Sequence, residues 1–375
     1  MKKEFKIHLV SFDNPFPPVY GGIIDVYFKI CALKRIGVKV YLHCFVDVIP
    51  KECEVLGNLV EELHFYKKKK YPWLLFSKFP LSVAIRSSEE LLNRLNQNDF
   101  PILFESLKTT AVLTDKRLLN TNCFLRLHNL EDNYFRGIAL QETNWIKRIL
   151  FKLEAFKYER YKAVFEKNKE IFTISNFENS ILTASGFNSR LIPAFSGNLE
   201  IKSKNGLGTY CLYHGDLRTS DNQQAVNFLL DLFENKINRS LKIASSTIPT
   251  VLLNRINALD HVEYVKVSSN EHLESLVIEA QVHLLFSFQN SGTKLKIINA
   301  LFKGRHIICN ENMIDDEKAL ALCHLYNGSE SDLIDMINRL FELPYQSSPQ
   351  RNSYLLEMYN DIITAQKLKI AIFGE

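Results

Sequence analysis

The sequence predicts an α/β protein with two domains, each built on a parallel sheet that helices cover on both faces. Its 375 residues suffice for two domains with separate cores. Short apolar runs alternate with amphipathic stretches, which is the pattern of strand–helix–strand units. Between two such series, residues 193–208 are rich in Gly, Ser, Pro and Asn and lack hydrophobic periodicity, so we expect the interdomain linker there.

The first half of the chain predicts the less regular domain. Apolar runs indicate strands, and helical periodicity indicates three longer helices. The strands are predicted at 6–12, 38–45, 102–105, 123–128 and 171–175, and the helices at 23–36, 86–97 and 144–167.

The second half alternates more regularly between strands and helices. Its strands are predicted at 209–213, 241–245, 262–267, 282–288, 306–309 and 323–326. Its helices are predicted near 221–235, 249–258, 271–280, 293–303, 315–321 and 330–342.

The domain boundaries are placed at 1–195 and 196–349. A stripe of apolar side chains within 350–370 predicts a final helix, with Leu355, Met358, Tyr359, Ile362 and Ile363 on one face. Because no strand follows this helix, it needs a surface to cover. We therefore assign residues 350–375 to the first domain.

The composition is that of a globular protein, with 46% apolar and 23% charged residues. The formal net charge is only +4, which demands no polyanionic partner. The seven cysteines are odd in number, lie far apart and form no CxxC pair, so zinc or redox chemistry is disfavoured and a reducing cytoplasm is expected. The N-terminal stretch is predicted to be a first strand rather than a signal peptide, and no window approaches a transmembrane span.

The segment 290–304, NSGTKLKIINALFKG, follows an apolar run and predicts an anion site. Lys294 and Lys296 fall in the first turn of the predicted helix, where positive charge opposes the helix macrodipole. A bound diphosphate would remove this conflict, because free N–H groups at a helix start and a lysine both stabilise it. Alternatively, both lysines are solvated on the helix surface.

Two further loops follow predicted strands. In FDNPFPPVYGGIIDVYF (12–28), Gly21 and Gly22 precede a helix and let a ligand or a neighbouring domain approach the backbone closely. GxGxxG is absent, so this is not a dinucleotide fingerprint, and a purely structural turn stays open. In YHGDLRTSDNQQAV (213–226), Gly215 ends the strand and Arg218 is a potential bidentate phosphate donor, although an exposed loop arginine often has no function.

Together these loops resemble those of the retaining glycosyltransferases with the GT-B fold, a large family of bacterial polysaccharide and lipopolysaccharide sugar transferases. The resemblance spans nearly the whole chain. It rests on PFPPVYGG, RLHNLEDNYF (126–135), ISNFE (174–178), YHGDL and SGTKLKIINALFKGRHIICN (291–310). It implies two Rossmann-like domains facing each other across a cleft, a nucleotide-sugar site in the C-terminal domain, acceptor binding by the N-terminal domain, and a final helix that crosses back to the N-terminal domain.

The resemblance also implies roles for individual residues. Contacts to the donor diphosphate or its pocket are implied for Ser291, Gly292, Thr293, Lys294, Arg218, Gly215, Gly21 and Gly22. His128 matches the strand-end histidine near the transferred sugar; a histidine at a strand end is otherwise more often packed or solvated. We take His128, Lys294 and Arg218 as the catalytic candidates.

One departure from the family pattern concerns two glutamates, which Ser291 and Asn299 replace here. The second glutamate accepts hydrogen bonds from the ribose in the family. Asn299 offers a carbonyl oxygen without the charge. Related sequences with SGTKLK commonly lack the first glutamate, so Asn299 is the more consequential replacement.

No metal or other cofactor is expected. Departure of a nucleoside diphosphate builds negative charge on the phosphates, which preorganised N–H groups and cations stabilise without a metal. No DxD-like carboxylate pair lies in a suitable loop.

Two segments combine lysines with large apolar side chains. YKKKKYPWLLF (66–76) is expected to contact the inner membrane surface, with a core helix that has a solvated basic face as an equal alternative. For WIKRILFKLEAFKYERYKAVF (145–165), a core helix with a solvated basic face is favoured over docking. Nucleic-acid binding is not expected, because no binding module surrounds these segments.

The predicted function is transfer of a hexose from a nucleotide sugar to a glycan in cell-envelope polysaccharide or lipopolysaccharide synthesis. The acceptor is expected to be lipid-linked, and the protein cytoplasmic and peripheral on the inner face of the membrane. The replacement at Asn299 keeps a second class open, a silent nucleotide-sugar-binding partner in a glycosyltransferase complex. A nucleotide-sugar epimerase is less favoured, because its acid and base carboxylates cannot be placed.

Overall fold

The computed structural model describes residues 4–51, 53–142, 144–289 and 293–375. These residues form two compact α/β units. One consists of Met1–Gly197 and Asp361–Glu375, and the other of Asn198–Asn360. Ser291 and Gly292, which the sequence analysis assigned to the diphosphate site, lie outside the described residues.

Thirteen strands are present in the described chain. They are β1 (Phe5–Ser11), β2 (Val38–Val46), β3 (Glu62–Lys67), β4 (Ile102–Glu105), β5 (Cys123–Leu127), β6 (Glu170–Thr173), β7 (Ser189–Leu191), β8 (Cys211–His214), β9 (Leu241–Ser245), β10 (Val262–Lys266), β11 (Val282–Leu285), β12 (His306–Cys309) and β13 (His324–Leu325).

Fifteen α-helices connect or follow these strands within the same residues. They are α1 (Gly21–Arg35), α2 (Glu54–Gly57), α3 (Leu81–Ala84), α4 (Glu89–Leu95), α5 (Glu131–Gln141), α6 (Trp145–Tyr161), α7 (Asn176–Ala184), α8 (Ser220–Asn235), α9 (Thr250–Asn257), α10 (Asn270–Glu279), α11 (Leu295–Lys303), α12 (Glu317–Leu320), α13 (Glu330–Glu342), α14 (Pro349–Tyr359) and α15 (Asp361–Phe373). Short 3₁₀ helices span Pro72–Phe76, Leu107–Thr114, Lys162–Lys167 and Glu311–Met313.

Each unit contains one parallel sheet. The first sheet has seven strands in the order β3-β2-β1-β4-β5-β6-β7, and the second has six in the order β10-β9-β8-β11-β12-β13. The strand order reverses between β1 and β4 in the first sheet and between β8 and β11 in the second. Ligands of open parallel sheets bind at the carboxyl ends of strands at such reversals. Two units with one parallel sheet each confirm the predicted two-domain parallel α/β architecture.

All eleven predicted strands are present, with ends that differ by three residues or fewer. Two strands were not predicted: β3, an edge strand whose side chains are mostly exposed or half-buried, and the three-residue β7. Helices α5 and α7 and the four-residue helices α2 and α3 were not predicted either. The strand predicted over the apolar run 282–288 is shorter in the structure, where it ends at Leu285.

The single helix predicted over 350–375 is two helices, and they belong to different units. α14 packs in the second unit, whereas α15 belongs to the first. Asp361, the first residue of α15, accepts hydrogen bonds from the backbone N–H groups of Ser196 and Gly197, at 3.0 and 2.8 Å. Phe373 near its end packs edge-on against Phe5 of β1, with ring centroids 5.1 Å apart. The helix therefore covers the first unit, as predicted.

Gly304 ends α11, as the sequence predicts, but its backbone is not left-handed (φ −89°). A Cβ at this position would lie 2.2 Å from Nε2 of His283 and 2.9 Å from the carbonyl oxygen of Ala300. Glycine is needed here because α11 packs directly on the His283 ring.

Gly304→Ala is therefore expected to lower the free energy of unfolding of the second unit by about 1–3 kcal/mol through overpacking. Gly137→Ala in α5 is the matched control, since a Cβ there meets no atom within 4 Å among the described residues. That variant should be more stable by about 1 kcal/mol through helix propensity. Urea denaturation measures both changes, and equal stabilities for the two variants would contradict this packing.

Candidate functional site

The second unit places several predicted site residues at the carboxyl ends of β8 and β11. Helix α11 begins at Leu295, so Lys294 is its N-cap and Lys296 lies in its first turn. The N-cap side chain makes no capping hydrogen bond, and the first turn has no acidic residue. The helix start thus combines unneutralised partial positive charge with two lysines, which favours an anion at this position.

The backbone before α11 is fixed by the segment that follows β12, which begins with the 3₁₀ helix Glu311–Met313. The N–H of Lys294 donates to the carbonyl oxygen of Met313 at 3.0 Å. The hydroxyl of Thr293 donates to Asp315 at 3.4 Å. Thr293 and Lys294 therefore lie at the end of this sheet, where the sequence analysis places them.

Lys296 is the residue that most clearly connects the two strand ends. Its ammonium group donates to Oδ1 of Asn222 at 2.8 Å and to the hydroxyl of Tyr213 at 3.1 Å. Desolvation lowers the pKa of Lys296 to about 7, against an opposing effect of the Asp221 carboxylate. No carboxylate of the described residues lies within ion-pair distance of this ammonium group. A partly buried cation with only neutral acceptors is stabilised by an incoming anion.

Gly215 completes the packing around this lysine. A Cβ on Gly215 would lie 3.2 Å from the Asn222 side chain and 3.3 Å from the hydroxyl of Tyr213. Asn222 also donates to the carbonyl oxygen of Asp216 at 2.9 Å. The strand-end glycine is therefore explained by the close approach of the side chains that hold Lys296.

Asp221 in the first turn of α8 fixes the segment after β11. Its carboxylate accepts hydrogen bonds from the N–H of Phe288 at 2.7 Å and from the hydroxyl of Ser287 at 2.8 Å. Asn310 at the end of β12 holds the backbone of Ser287 from the other side, at 2.7 and 3.2 Å. The loop leaving β11 is thus anchored to both neighbouring strand ends.

Two other predicted residues have partners of their own. Arg218 is exposed, and its Nε and Nη2 donate hydrogen bonds to the carboxylate of Asp216 at 2.7–3.1 Å. The side-chain oxygen of Asn299 accepts a hydrogen bond from Asn198 at 2.9 Å. A phosphate role for Arg218 and a ribose role for Asn299 stay predictions.

The first unit brings Gly22 and His128 together. A Cβ on Gly22 would lie 3.4 Å from Nδ1 of His128 and 2.9 Å from the ring of Phe12. The Phe12 and His128 rings meet edge to face, with centroids 5.6 Å apart. Gly21 is the first residue of α1, adjacent in sequence. Gly22 therefore lets the start of α1 lie against the predicted strand-end histidine.

His128 is oriented by Glu105 at the end of β4. Its Nε2 lies 3.0 Å from Oε2 of Glu105. Burial favours a raised pKa for Glu105, but the charge of Lys29 and the contact with His128 outweigh it and hold the pKa below its ordinary value. The carboxylate is therefore ionised and can only accept, so Nε2 carries the proton. In the neutral ring, Nδ1 facing Gly22 is then the acceptor.

Glu105 belongs to a fully buried charge cluster, which consists of Asp25, Lys29, Glu105 and Arg126. Lys29 donates to Asp25 at 2.8 Å and to Glu105 at 2.6 Å. Arg126 pairs with Asp25 at 3.0 Å and donates to the carbonyl oxygen of Pro193 at 2.9 Å. Burial favours a raised pKa for Asp25, but the charges of Arg126 and Lys29 outweigh it and hold the pKa far below its ordinary value. The two carboxylates of this cluster are thus paired with two cations, Lys29 and Arg126.

Asp25, Glu105 and His128 offer ligand atoms within 4.8 Å of one another, a spacing that could hold a metal ion. The ammonium of Lys29 already lies between the two carboxylates, and Arg126 binds Asp25 as well. A divalent cation would therefore meet two fixed positive charges and no surplus negative charge. This group does not fit a resident metal.

This charge cluster was not predicted, although the sequence contains a signal for it. Asp25 and Lys29 are four residues apart on the face of α1 that also carries Ile23, Val26 and Ile30, all buried. Glu105 and Arg126 likewise interrupt strand runs that are otherwise apolar. A charge inside an apolar run of a buried strand is rarely left without a partner.

Comparison with protein families finds no family model that matches this chain. An uncharacterized 44.6 kDa protein in the cps region of Klebsiella pneumoniae is 27% identical over 163 residues. The matched part is 41% of this chain and 42% of that protein, so the chain covers less than half of this curated relative.

Solved structures share the architecture over nearly the whole chain. The Anabaena protein HepE, solved with UDP and glucose, has a TM-score of 0.67 at 10% identity, over 99% of this chain and all of that one. Sucrose-phosphate synthase from Thermosynechococcus elongatus has a TM-score of 0.62 at 17% identity, over 98% and 96%. The lipopolysaccharide outer core galactosyltransferase WaaB has a TM-score of 0.60 at 12% identity, over 99% of each chain. With its two parallel sheets, the chain has the GT-B fold seen in solved glycosyltransferases.

Proposed function

We propose that the protein is a glycosyltransferase that moves a hexose from a nucleotide-diphosphate sugar to a glycan acceptor, with retention of configuration. The observation on which this rests is the cation site at the carboxyl ends of β8 and β11. There, Lys296 is held by Tyr213 and Asn222 without a counter-ion among the described residues, beside the open start of α11. A diphosphate is the leaving group that this arrangement would stabilise best.

In the second unit, the proposed chemistry is stabilisation of the leaving group. N–H groups at the start of α11, together with Lys294 and Lys296, stabilise the negative charge that builds on the departing diphosphate, and Arg218 assists if it leaves Asp216. His128 contacts the transferred sugar through Nδ1, the nitrogen that its bond to Glu105 leaves as an acceptor. No step in this scheme needs a metal or another cofactor.

The donor is proposed to be a nucleotide sugar. HepE has been solved with UDP and with UDP-glucose, and it shares the fold of this chain. We therefore take UDP-glucose as the first donor to test, followed by guanosine and cytidine diphosphate sugars.

The acceptor is proposed to be a lipid-linked glycan in cell-envelope polysaccharide or lipopolysaccharide synthesis, reached at the cytoplasmic face of the membrane. This proposal is supported by the names of two similar proteins: WaaB is a lipopolysaccharide outer core galactosyltransferase, and the Klebsiella relative is a protein in a cps region. Among the described residues, none of the helices combines the length and apolarity that crossing a bilayer requires.

A second candidate function is favoured by one specific contact. Asn299 replaces the glutamate expected to bind the ribose, and its side-chain oxygen is engaged by Asn198. If this contact persists with nucleotide bound, the protein would bind nucleotide sugars weakly and act as a silent partner in a glycosyltransferase complex.

Two measurements separate these functions. Transfer or hydrolysis of the donor panel, insensitive to EDTA and lost in His128→Ala, is expected for the enzyme. If the protein binds nucleotides but transfers sugar to no acceptor in a cell-envelope extract, the silent partner is favoured. Asn299→Glu is expected to tighten nucleotide-sugar binding by restoring a charged acceptor for the ribose, and unchanged affinity would exclude Asn299 from the ribose site.

A further inference from the structure

An exposed apolar segment lies in the first unit, at the 3₁₀ helix Pro72–Phe76. Phe76 is 90% exposed and Trp73 is 63% exposed. The rings of Tyr71 and Trp73 stack with centroids 4.6 Å apart and planes 5° apart, so the aromatic side chains form an ordered platform. Large aromatic side chains grouped at this level of exposure indicate a binding surface rather than isolated surface residues.

Helix α6 presents a second exposed apolar face. One side of the helix packs inward through Ala155, Tyr158 and Tyr161. At 3.6 residues per turn, the exposed apolar side chains span an arc of about 140° on another side. They are Trp145, Ile146, Ile149, Leu150, Leu153 and Phe156, each 46–65% exposed. The favoured interpretation of 145–165 as a core helix with a solvated basic face is therefore wrong for this part of α6.

The two segments are joined into one surface. The ammonium of Lys157 donates to the carbonyl oxygen of Leu75 at 2.8 Å. Glu154, one turn earlier on α6, accepts from the N–H of Leu81 at 2.7 Å and pairs with Lys157 at 3.0 Å. We call the exposed apolar residues of 71–76 and of α6, with the basic side chains around them, the aromatic–basic surface.

Its charge is opposite to that of the rest of the chain. Residues 66–80 contain five lysines and no acidic residue, and residues 145–162 contain six basic residues against two glutamates. The whole chain has a formal net charge of only +4, so everything outside these two segments is net acidic. Ion pairs within the described part of the chain engage Lys68, Lys70, Lys157 and Lys162. They engage none of the other seven side chains, which are Lys67, Lys69, Lys78, Lys147, Arg148, Lys152 and Arg160.

We propose that the aromatic–basic surface docks on a bilayer that contains anionic lipids. Tryptophan and phenylalanine side chains enter the headgroup region, while the surrounding lysines and arginines contact lipid phosphates. Lysine is depleted at protein–protein interfaces, which argues against a protein as the occupant. Docking is independent of the proposed activity, because it requires neither the donor nor the sites at β8, β11 and His128.

The chain offers a direct probe, because its only two tryptophans, Trp73 and Trp145, both lie on this surface. We expect their fluorescence to shift to shorter wavelength with vesicles of phosphatidylcholine and phosphatidylglycerol, and not with phosphatidylcholine alone. High salt should reverse the shift by screening. Trp73→Phe and Trp145→Phe leave one reporter each, and both variants should respond if the two segments dock together.

Sedimentation with the same vesicles tests how much individual residues of the aromatic–basic surface contribute to membrane binding. Trp73→Ser combined with Phe76→Ser is expected to weaken binding about tenfold or more. Lys147→Glu combined with Arg148→Glu should weaken it roughly fivefold per charge removed or more. Leu119→Ser is the control, because Leu119 is 76% exposed but lies outside both segments. Equal binding of all variants, or equal binding to both kinds of vesicle, would overturn the proposal. A spectral shift that depends on protein concentration without lipid would instead indicate self-association and would also overturn it.

Discussion

Lys296→Met is expected to lower the rate of sugar transfer by about 100-fold or more, by removing the cation at the carboxyl ends of β8 and β11. Methionine matches the length of the lysine stem, so packing against Tyr213 and Asn222 should persist. Steady-state kinetics with a nucleotide sugar measures the loss, and calorimetry with the nucleoside diphosphate measures the accompanying loss of affinity. An unchanged affinity for the diphosphate would show that Lys296 does not face it.

Lys303→Met provides the control for this substitution. Lys303 lies at the other end of α11 and pairs with Glu274 at 2.8 Å. An exposed or half-buried ion pair of this kind stabilises a protein by about 1 kcal/mol or less. Transfer and diphosphate binding should therefore be nearly unchanged in this variant. A similar loss in both lysine variants would point to damage to α11 rather than to a missing phosphate contact.

The same site is expected to make diphosphate binding depend on pH. Lys296 has a pKa of about 7 without a bound anion, so it loses its proton as the pH rises above that value. Since only the ammonium form attracts the diphosphate, affinity should fall by up to about tenfold per pH unit above pH 7. Lys296→Met should bind weakly at every pH and lack this dependence.

Lys29→Met is expected to destabilise the first unit by about 3–5 kcal/mol, because it leaves Glu105 buried without its cation. The free energy of unfolding, measured in urea, reports the loss. Lys39→Met is the control, since Lys39 forms exposed ion pairs with Glu4 and Glu61, and this variant should leave the free energy of unfolding nearly unchanged.

A double variant distinguishes lost charge balance from lost packing. Glu105→Gln removes the uncompensated charge and leaves a side-chain oxygen that can still accept from Nε2 of His128. Lys29→Met combined with Glu105→Gln should therefore recover at least half of the stability that Lys29→Met loses. No recovery would mean that the lysine stem, rather than its charge, stabilises the unit.

The fold was predictable because its signals are local. Buried parallel strands appear as apolar runs, and most helices between them show helical periodicity, as α11 and α13 do. The failures have physical causes. β3 is a sheet edge with mostly exposed or half-buried side chains, so it lacks the apolar run of a buried strand. The boundary between α14 and α15 was missed because both helices present apolar faces, and only tertiary packing separates the surfaces that these faces cover.

The candidate site was predictable only in part. The strand-end loops were located from the sequence, and the structure brings Gly22 against His128, and Gly215 against the side chains that hold Lys296. Long-range partners were not predictable. Glu105 lies 23 residues before His128, and Asp25 lies 101 residues before Arg126, so their pairing is decided by strand order rather than by sequence spacing.

The return of α15 to the first unit has a consequence for synthesis on the ribosome. Leu368 and Ala365 of this helix pack in the same core as Val26 and Ile30 of α1. The second unit, of more than 160 residues, is translated after Gly197 and before α15. This side of the first unit's core therefore stays uncovered until the second unit has been synthesised. The N-terminal half therefore cannot complete its folding cotranslationally ahead of the C-terminal half, and chaperone binding to α1 during translation is the expected result.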